Sequence, residues 1–239
     1  MIYNADAFDV LTELPDNSID AVITDPPYGT TGKKWDTPFD LELWWEHINR
    51  VLKDDGVSVV FADEPFSSQL VVSNIKNFRY EWIWDKTYNS GGLHAWKRPL
   101  KHTEDILVFS KKTPPYNIQH LLIPYTVNRK TWHNLNNRLQ GIDTRKKPQK
   151  WQGFPTEIIK MNGVRTPFRE KKLHIAQKPV ELMEYLIKIY TNEGDVVLDP
   201  FMGSGTTGIA CKNLNREFIG VEKEENYFAL AGDRLDLQR

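Results

Sequence analysis

Apolar and polar positions along the chain follow two alternating rhythms. Short apolar runs bounded by polar turns, residues 19–24 (IDAVIT) and 57–62 (VSVVFA), read as strands buried on both faces. Between them Leu41, Trp44, Trp45, Ile48, Val51 and Leu52 recur three and four residues apart, so 41–53 is predicted to be a helix with one apolar stripe. Residues 80–86 and 105–111 are predicted as further strands. The rhythm resumes with a proline-led helix over 179–191, striped by Val180, Met183, Leu186, Ile187 and Tyr190. A strand at 195–200, a helix at 205–214, a strand at 216–222 and a closing helix at 224–235 follow. This succession predicts an α/β protein with a Rossmann-like, mostly parallel sheet and helices on both faces.

From 112 to 172 neither period persists, and prolines recur at 114, 115, 124, 148, 155 and 167. The segment keeps Trp132, Trp151 and Phe154, so it reads as an inserted lobe rather than a linker. It divides one domain into 1–111 and 173–239.

Charge singles out the same segment. The whole chain carries a net −1, yet residues 111–175 hold 14 Lys and Arg against three acids, Asp143, Glu157 and Glu170. That surplus of 11 leaves −12 on the rest of the chain. A basic middle in an acidic frame suits a nucleic-acid contact surface. Arg129, Lys130, Arg138, Arg145, Lys146 and Lys147 are the candidate DNA contacts, most of them to phosphates. Lys33 and Lys34, beside Trp35, suggest a loop closing on DNA.

Other totals narrow the classes. The single cysteine, Cys211, permits no disulfide framework and sits in a helical pattern as a small core residue, not a nucleophile. That argues against chemistry that needs a cysteine attacking a base. The six histidines have no metal-ligand spacing, and no metal is expected. No signal peptide is read at the start, and no apolar run approaches the ~20 residues that span a bilayer. A cytoplasmic protein with no membrane partner is the expectation.

Two stretches carry chemistry. In VVLDPFMGSGTTG an apolar strand ends at Asp199, and Gly203, Ser204 and Gly205 make a tight turn into a helix with Thr206 in its first turn. Glycines there let the backbone approach a ligand, and the free N–H groups of the helix start meet its polar groups. At the end of the next strand stands Glu222, an acid placed to accept from ribose hydroxyls. Gly203, Gly205 and Gly208 also fit the dinucleotide fingerprint, which keeps an NAD-dependent oxidoreductase open. The second stretch, Asp25-Pro26-Pro27-Tyr28, directly follows the strand at 19–24. It offers a carboxylate and a backbone carbonyl as acceptors, two prolines with no N–H, and an aromatic ring. Such a corner accepts from an exocyclic amine and returns electron density to its nitrogen. The ring suits stacking against an extruded base.

Together these stretches resemble the β group of DNA adenine-N6 methyltransferases. The matching pieces are Asp25-Pro26-Pro27-Tyr28, Asp199 to Gly205, Gly220-Val221-Glu222, residues 174–179 (HIAQKP) and Asp6-Ala7, in the family order. The HIAQKP stretch departs from the usual proline-threonine after the histidine. The resemblance implies S-adenosylmethionine as cofactor, with Asp6 and Ala7 near its adenine, Lys178 and Pro179 near its methionine half, and Phe201 packed beside it. It implies methyl transfer to adenine N6 in double-stranded DNA by base flipping, with 112–172 as target-recognition region. A cognate restriction endonuclease and a homodimer are further implied partners. N4-cytosine methylation by the same chemistry is the close alternative, and Asp rather than Ser at position 25 favours adenine. An inactive DNA-binding module with the same fold is a third.

Overall fold

The computed structural model describes residues 1–30, 32, 36–90, 95–97, 99–124, 151–164 and 177–236. In chain order these form β1 (Ile2–Tyr3), α1 (Ala7–Glu13), β2 (Ile19–Thr24), α2 (Leu41–Val51), β3 (Leu52–Ala62), α3 (Phe66–Ser73), β4 (Phe78–Ser90) and β5 (Lys101–Phe109). Then come a 3-10 turn (Gln119–Leu121), β6 (Ile123–Pro124), β7 (Trp151–Gln152), β8 (Ile158–Lys160), α4 (Val180–Tyr190), β9 (Val196–Asp199), α5 (Thr206–Asn213), β10 (Glu217–Val221) and α6 (Glu225–Asp236).

The local reasons are visible in the side chains. Asp40 caps α2 by accepting from the N–H groups of Glu42 and Leu43 at 2.8 and 3.2 Å, and the predicted stripe (Trp44, Trp45, Ile48, Val51) is buried. Pro179 stands just before α4 in an extended conformation, where its missing N–H costs no helical bond. Burial of each fully enclosed aliphatic side chain contributes roughly 1.5–3 kcal/mol.

Eight strands form one sheet in the order β1-β10-β9-β2-β3-β5-β4-β8. All neighbours pair in parallel except at β5, which is antiparallel to both β3 and β4. Strand β2 therefore runs between β9 and β3 with every residue but Asp20 buried. Period-two alternation sends Val22, Val60, Leu107 and Leu198 to the face that α1, α2 and α3 cover. On the other face Trp82 of β4 donates its ring N–H to Tyr190 of α4 at 2.6 Å, and α4 packs on α5. From β9 the chain winds through α5 to β10 on one side, and from β2 through α2 to β3 on the other. The winding thus reverses between β9 and β2.

The chain divides into two compact units, residues 1–117 with 157–239, and residues 118–156. The smaller unit is narrower than the basic segment 112–172, because β8 pairs with β4 and belongs to the large sheet. Its described part holds the 3-10 turn and the antiparallel pair β6 and β7.

Candidate active site

The turn after β9 is set by backbone conformation. Gly203 and Gly205 have φ of 51° and 77°, the left-handed region where other residues carry strain of about 1–3 kcal/mol. A Cβ on Gly205 would stand 3.1 Å from the Ala231 Cβ of α6. The turn is tied from several directions. Gly205 N–H donates to the Met202 carbonyl at 2.8 Å, Met202 N–H to Val221 at 2.9 Å, and Arg234 to the Ser204 carbonyl and Oγ at 2.5 and 2.9 Å.

Asp199 braces the turn from below. One carboxylate oxygen accepts from the Thr24 hydroxyl at 2.7 Å and the Phe201 N–H at 3.2 Å, the other from the Thr207 hydroxyl at 2.5 Å. Burial pushes its pKa up to about 6, against the pull of those donors. The resemblance places Asp199 at the cofactor. In the structure its oxygens serve protein donors, and Thr24 ties the ends of β2 and β9 together through it.

Glu222 follows β10, half-buried, and accepts from the Glu224 N–H at 2.8 Å. Burial raises its pKa, opposed by the Glu224 and Gly203 backbone donors. Asp6 caps α1 through the Phe8 N–H at 3.0 Å and pairs with Lys223 at 2.9 Å. Partial burial works to raise its pKa, but Lys223 and the Phe8 donor outweigh it and hold it below the usual value. Phe201 packs among Phe39 and Trp44 at ring-centre distances of 5.5 and 5.8 Å, so it is a core residue that also faces a cavity.

At the end of β2 the Asp25 carboxylate is held on both sides. One oxygen accepts from the Tyr28 hydroxyl at 2.5 Å, the other from the Lys178 ammonium at 2.7 Å. Lys178 also reaches Glu104 of β5 at 3.3 Å and lies 4.9 Å from the centre of the Phe61 ring. Burial and the neighbouring Glu104 raise the Asp25 pKa, opposed by Lys178 and Tyr28. Burial alone would lower Lys178, yet Asp25 and Glu104 prevail and hold it above its usual value. The Tyr28 ring is stacked on Phe66 at 5.4 Å and 20°, and burial beside Asp25 holds its hydroxyl firmly protonated.

Both ends open into one cavity of about 650 Å³ at the carboxyl ends of the strands. Asp6, Ala7, Asp25, Pro26, Pro27, Tyr28, Lys178, Asp199, Phe201, Gly203, Ser204, Thr206 and Glu222 all line it. Gly205 and Pro179 are not among the lining residues; one lets the turn close and the other starts α4. Lys178, expected beside the methionine half of a cofactor, lines the cavity with its ammonium on Asp25 and Glu104. The expected DNA contacts Lys33, Lys34, Arg129, Lys130, Arg138, Arg145, Lys146 and Lys147, with Trp35 and residues 174–176, lie outside the described residues. Sequence reasoning missed Glu104, Lys86 and Tyr88, which reach the cavity from β4 and β5. It also missed Asp36, buried and accepting from the Gly29 N–H at 2.7 Å. Only the pairing of β5 between β3 and β4 brings Glu104 there, and no local spacing announces it.

A doubly wound sheet with a nucleoside-sized cavity where its winding reverses, glycine turn at one end and carboxylate corner at the other, defines a Rossmann-like enzyme that binds a nucleoside cofactor beside a second substrate. The chain belongs to the DNA methylase family that groups N6 and N4 methyltransferases, whose model matches residues 19–233. It is 33% identical over 248 residues to the Type II methyltransferase M.HpaI of Haemophilus parainfluenzae, covering 97% of this chain and 73% of that one. It is 31% identical over 254 residues to the DNA adenine methyltransferase YhdJ of Escherichia coli K12, covering 99% and 82%. Among solved structures, the M1.HpyAVI–SAM complex superposes with a TM-score of 0.64 at 30% identity, covering 98% of this chain and 99% of that one. The cytosine-N4-specific PvuII methyltransferase superposes with a TM-score of 0.70 at 20% identity, covering 98% and 85%, a likeness of fold alone. Family membership displaces the dehydrogenase alternative.

Proposed function

We propose that the protein transfers a methyl group from S-adenosylmethionine to the N6 amino group of adenine in double-stranded DNA. The observation that carries this reading is the meeting, in one cavity, of the acceptor corner Asp25 to Tyr28 with the glycine turn Gly203 to Gly205. The cavity fits the cofactor in size, since small-molecule sites span roughly 300–1,000 Å³. It fits in chemistry too: Glu222 suits ribose hydroxyls, the turn Gly203-Ser204-Gly205 with Thr206 supplies small groups and backbone donors, and Asp6 and Ala7 form the adjoining wall. When bound, the cofactor supplies an electrophilic methyl group on a sulfonium.

The chain's own residues act on the amine. The adenine N6 lone pair is delocalised into the ring, so the nitrogen is a poor nucleophile. Asp25 uses one lone pair of each oxygen on Tyr28 and Lys178, and a carboxylate has about four in all. The remaining pairs can accept from N6–H and draw electron density back to nitrogen. Pro26 and Pro27 bring no competing donor. Positioning of amine and methyl group in one enclosed site then carries most of the acceleration.

Adenine is favoured over cytosine by Asp25, where a serine would suit the N4 chemistry, and by the name of the relative YhdJ. The reading extends to residues 112–172 as the DNA-recognition region, supported by their basic surplus, with Lys33 and Lys34 joining from the loop after Tyr28. It extends further to a cytoplasmic setting, a cognate restriction endonuclease and a homodimer. The naming of several relatives as Type II methyltransferases supports the endonuclease, and the lack, among the described residues, of a helix long and apolar enough to cross a membrane fits the setting. Incubation with labelled S-adenosylmethionine and unmethylated DNA, then nucleoside analysis, tests the reaction. Label is expected in N6-methyladenine. Label in N4-methylcytosine would overturn the choice of base, and no transfer would overturn the function.

A further inference from the structure

Glu104 is not adjacent in sequence to any part of the site, yet it shares the Lys178 ammonium with Asp25 across 3.3 Å. The three side chains are 14%, 9% and 21% exposed, with Lys178 the most deeply buried. Two carboxylates around one ammonium leave one excess negative charge in a site largely closed to water.

We propose that Glu104 is a positioning residue for the transfer reaction, which holds Lys178 between itself and Asp25 and so keeps the cluster in the anionic state that receives the proton from the substrate amine. The inference rests on the methyltransferase reading and names the group that reading leaves without a role. The proton balance requires a receiver. As the C–N bond forms and the methyl group's bond to sulfur breaks, the electron pair of that bond leaves with sulfur. Nitrogen gains a positive charge, keeps the N–H electron pair and passes the proton to Asp25.

Charge decides whether Asp25 can take it. An isolated Asp25–Lys178 pair is neutral, and accepting a proton would leave an uncompensated ammonium in a low-dielectric site, which is costly. With Glu104 the cluster passes from one negative charge to neutral, the cheaper direction. Glu104 acts in the same sense on both partners, raising Asp25 and raising Lys178. The other charged and titratable groups around the cluster are accounted for. Tyr28 donates to Asp25, and Asp199 is bound to Thr24 and Thr207. Lys101 on β5 feels Glu104, Asp105 and Lys178, but it is paired with Asp63, and that neutral pair leaves the excess charge of the cluster in place; Asp36 accepts from Gly29, and Lys86 lines the cavity from β4.

The test compares wild type with Glu104→Gln and Glu104→Asp. Side-chain NMR of the cofactor-free protein follows the titration of Lys178, and the midpoint is expected above the ordinary lysine range in wild type and lower in Glu104→Gln. An ordinary midpoint in wild type overturns the inference and needs no variant to fold. In turnover, Glu104→Gln is expected to lower kcat on the order of 10²-fold, the low end of what a positioned proton acceptor contributes, with KM for DNA and cofactor little changed. Both limbs of its pH profile should move to lower pH, since Asp25 and Lys178 each lose a raising charge. Glu104→Asp, which keeps the charge, should hold the limbs near their wild-type positions. An unmoved profile in Glu104→Gln, or a loss confined to KM, overturns the inference. Wild-type protein that methylates no adenine would overturn the methyltransferase reading instead, and the Lys178 titration would still judge the cluster.

Discussion

The two ends of the cavity are built by different means. The glycine end is a local device: Gly203 and Gly205 adopt left-handed φ, and the strand before and helix after them are contiguous in sequence. The amine end is assembled by charge from three places, with Lys178 lying 153 residues from Asp25 and 74 from Glu104. Shape set by backbone conformation is robust to ionisation. A cluster of buried charges is poised by it, because each member sets the protonation of the others. That division suits the proposed chemistry, since one end has only to hold a ligand and the other has to change charge in every turnover.

The comparison can be broken most sharply at Asp25. Asp25→Ala is expected to lower kcat on the order of 10³-fold or more, while the cofactor Kd from calorimetry stays within a few-fold of wild type. Near-normal turnover would remove the amine end from the mechanism. A third region can be set against both. Replacing Arg145, Lys146 and Lys147 by Ala should reduce the slope of log K for DNA against log salt by about 0.9 for each phosphate no longer neutralised. An unchanged slope would take those residues out of the interface and leave the described cavity untouched.

The glycine end should respond in the opposite manner to Asp25. Gly205→Ala places a Cβ in left-handed backbone against Ala231. It should destabilise the fold by about 1–3 kcal/mol in denaturant titration, and weaken cofactor binding before it alters kcat. A loss confined to kcat would contradict the division between the two ends.

The smallest effect concerns Asp199, a buried charge at the glycine end. Its pKa rises from the usual 3.8 to about 6 because burial disfavours the ionised form. Within that window the native carboxyl keeps a proton that the unfolded chain has released. Its contribution to stability therefore falls as pH rises through the window. Asp199→Asn cannot titrate, so the stability difference between wild type and variant should move in the variant's favour from pH 3.8 to about 6. A flat difference would mean that the Thr24, Thr207 and Phe201 donors already cancel the cost of burial.

Much of this protein could be read from residue order alone. The strand Ile19–Thr24, the stripe of α2 and the turn from β9 into α5 all arise from interactions between near neighbours, and periodicity and glycine placement encode those directly. The corner Asp25-Pro26-Pro27-Tyr28 was legible for the same reason, because its chemistry lies in four consecutive residues. The tryptophans Trp44, Trp45, Trp82 and Trp84 and the helical Cys211 fall in the core, as their patterns imply.

Only the tertiary structure decided what those residues do to one another. Asp199 reads in sequence as the acid that ends a strand, and only the fold shows that it lines the cavity and also braces the turn, because the hydroxyl of Thr24 reaches it from another strand. Glu104 carries no signal in its own surroundings, and nothing near Lys178 in sequence names the partners of its ammonium. They meet Asp25 because β5 is inserted antiparallel between β3 and β4, and α4 starts beside that edge. Hydrophobic period and turn chemistry are properties of a few consecutive residues. The balance of a buried charge depends on every group that the fold brings within a few ångströms, and no short stretch of sequence contains that information.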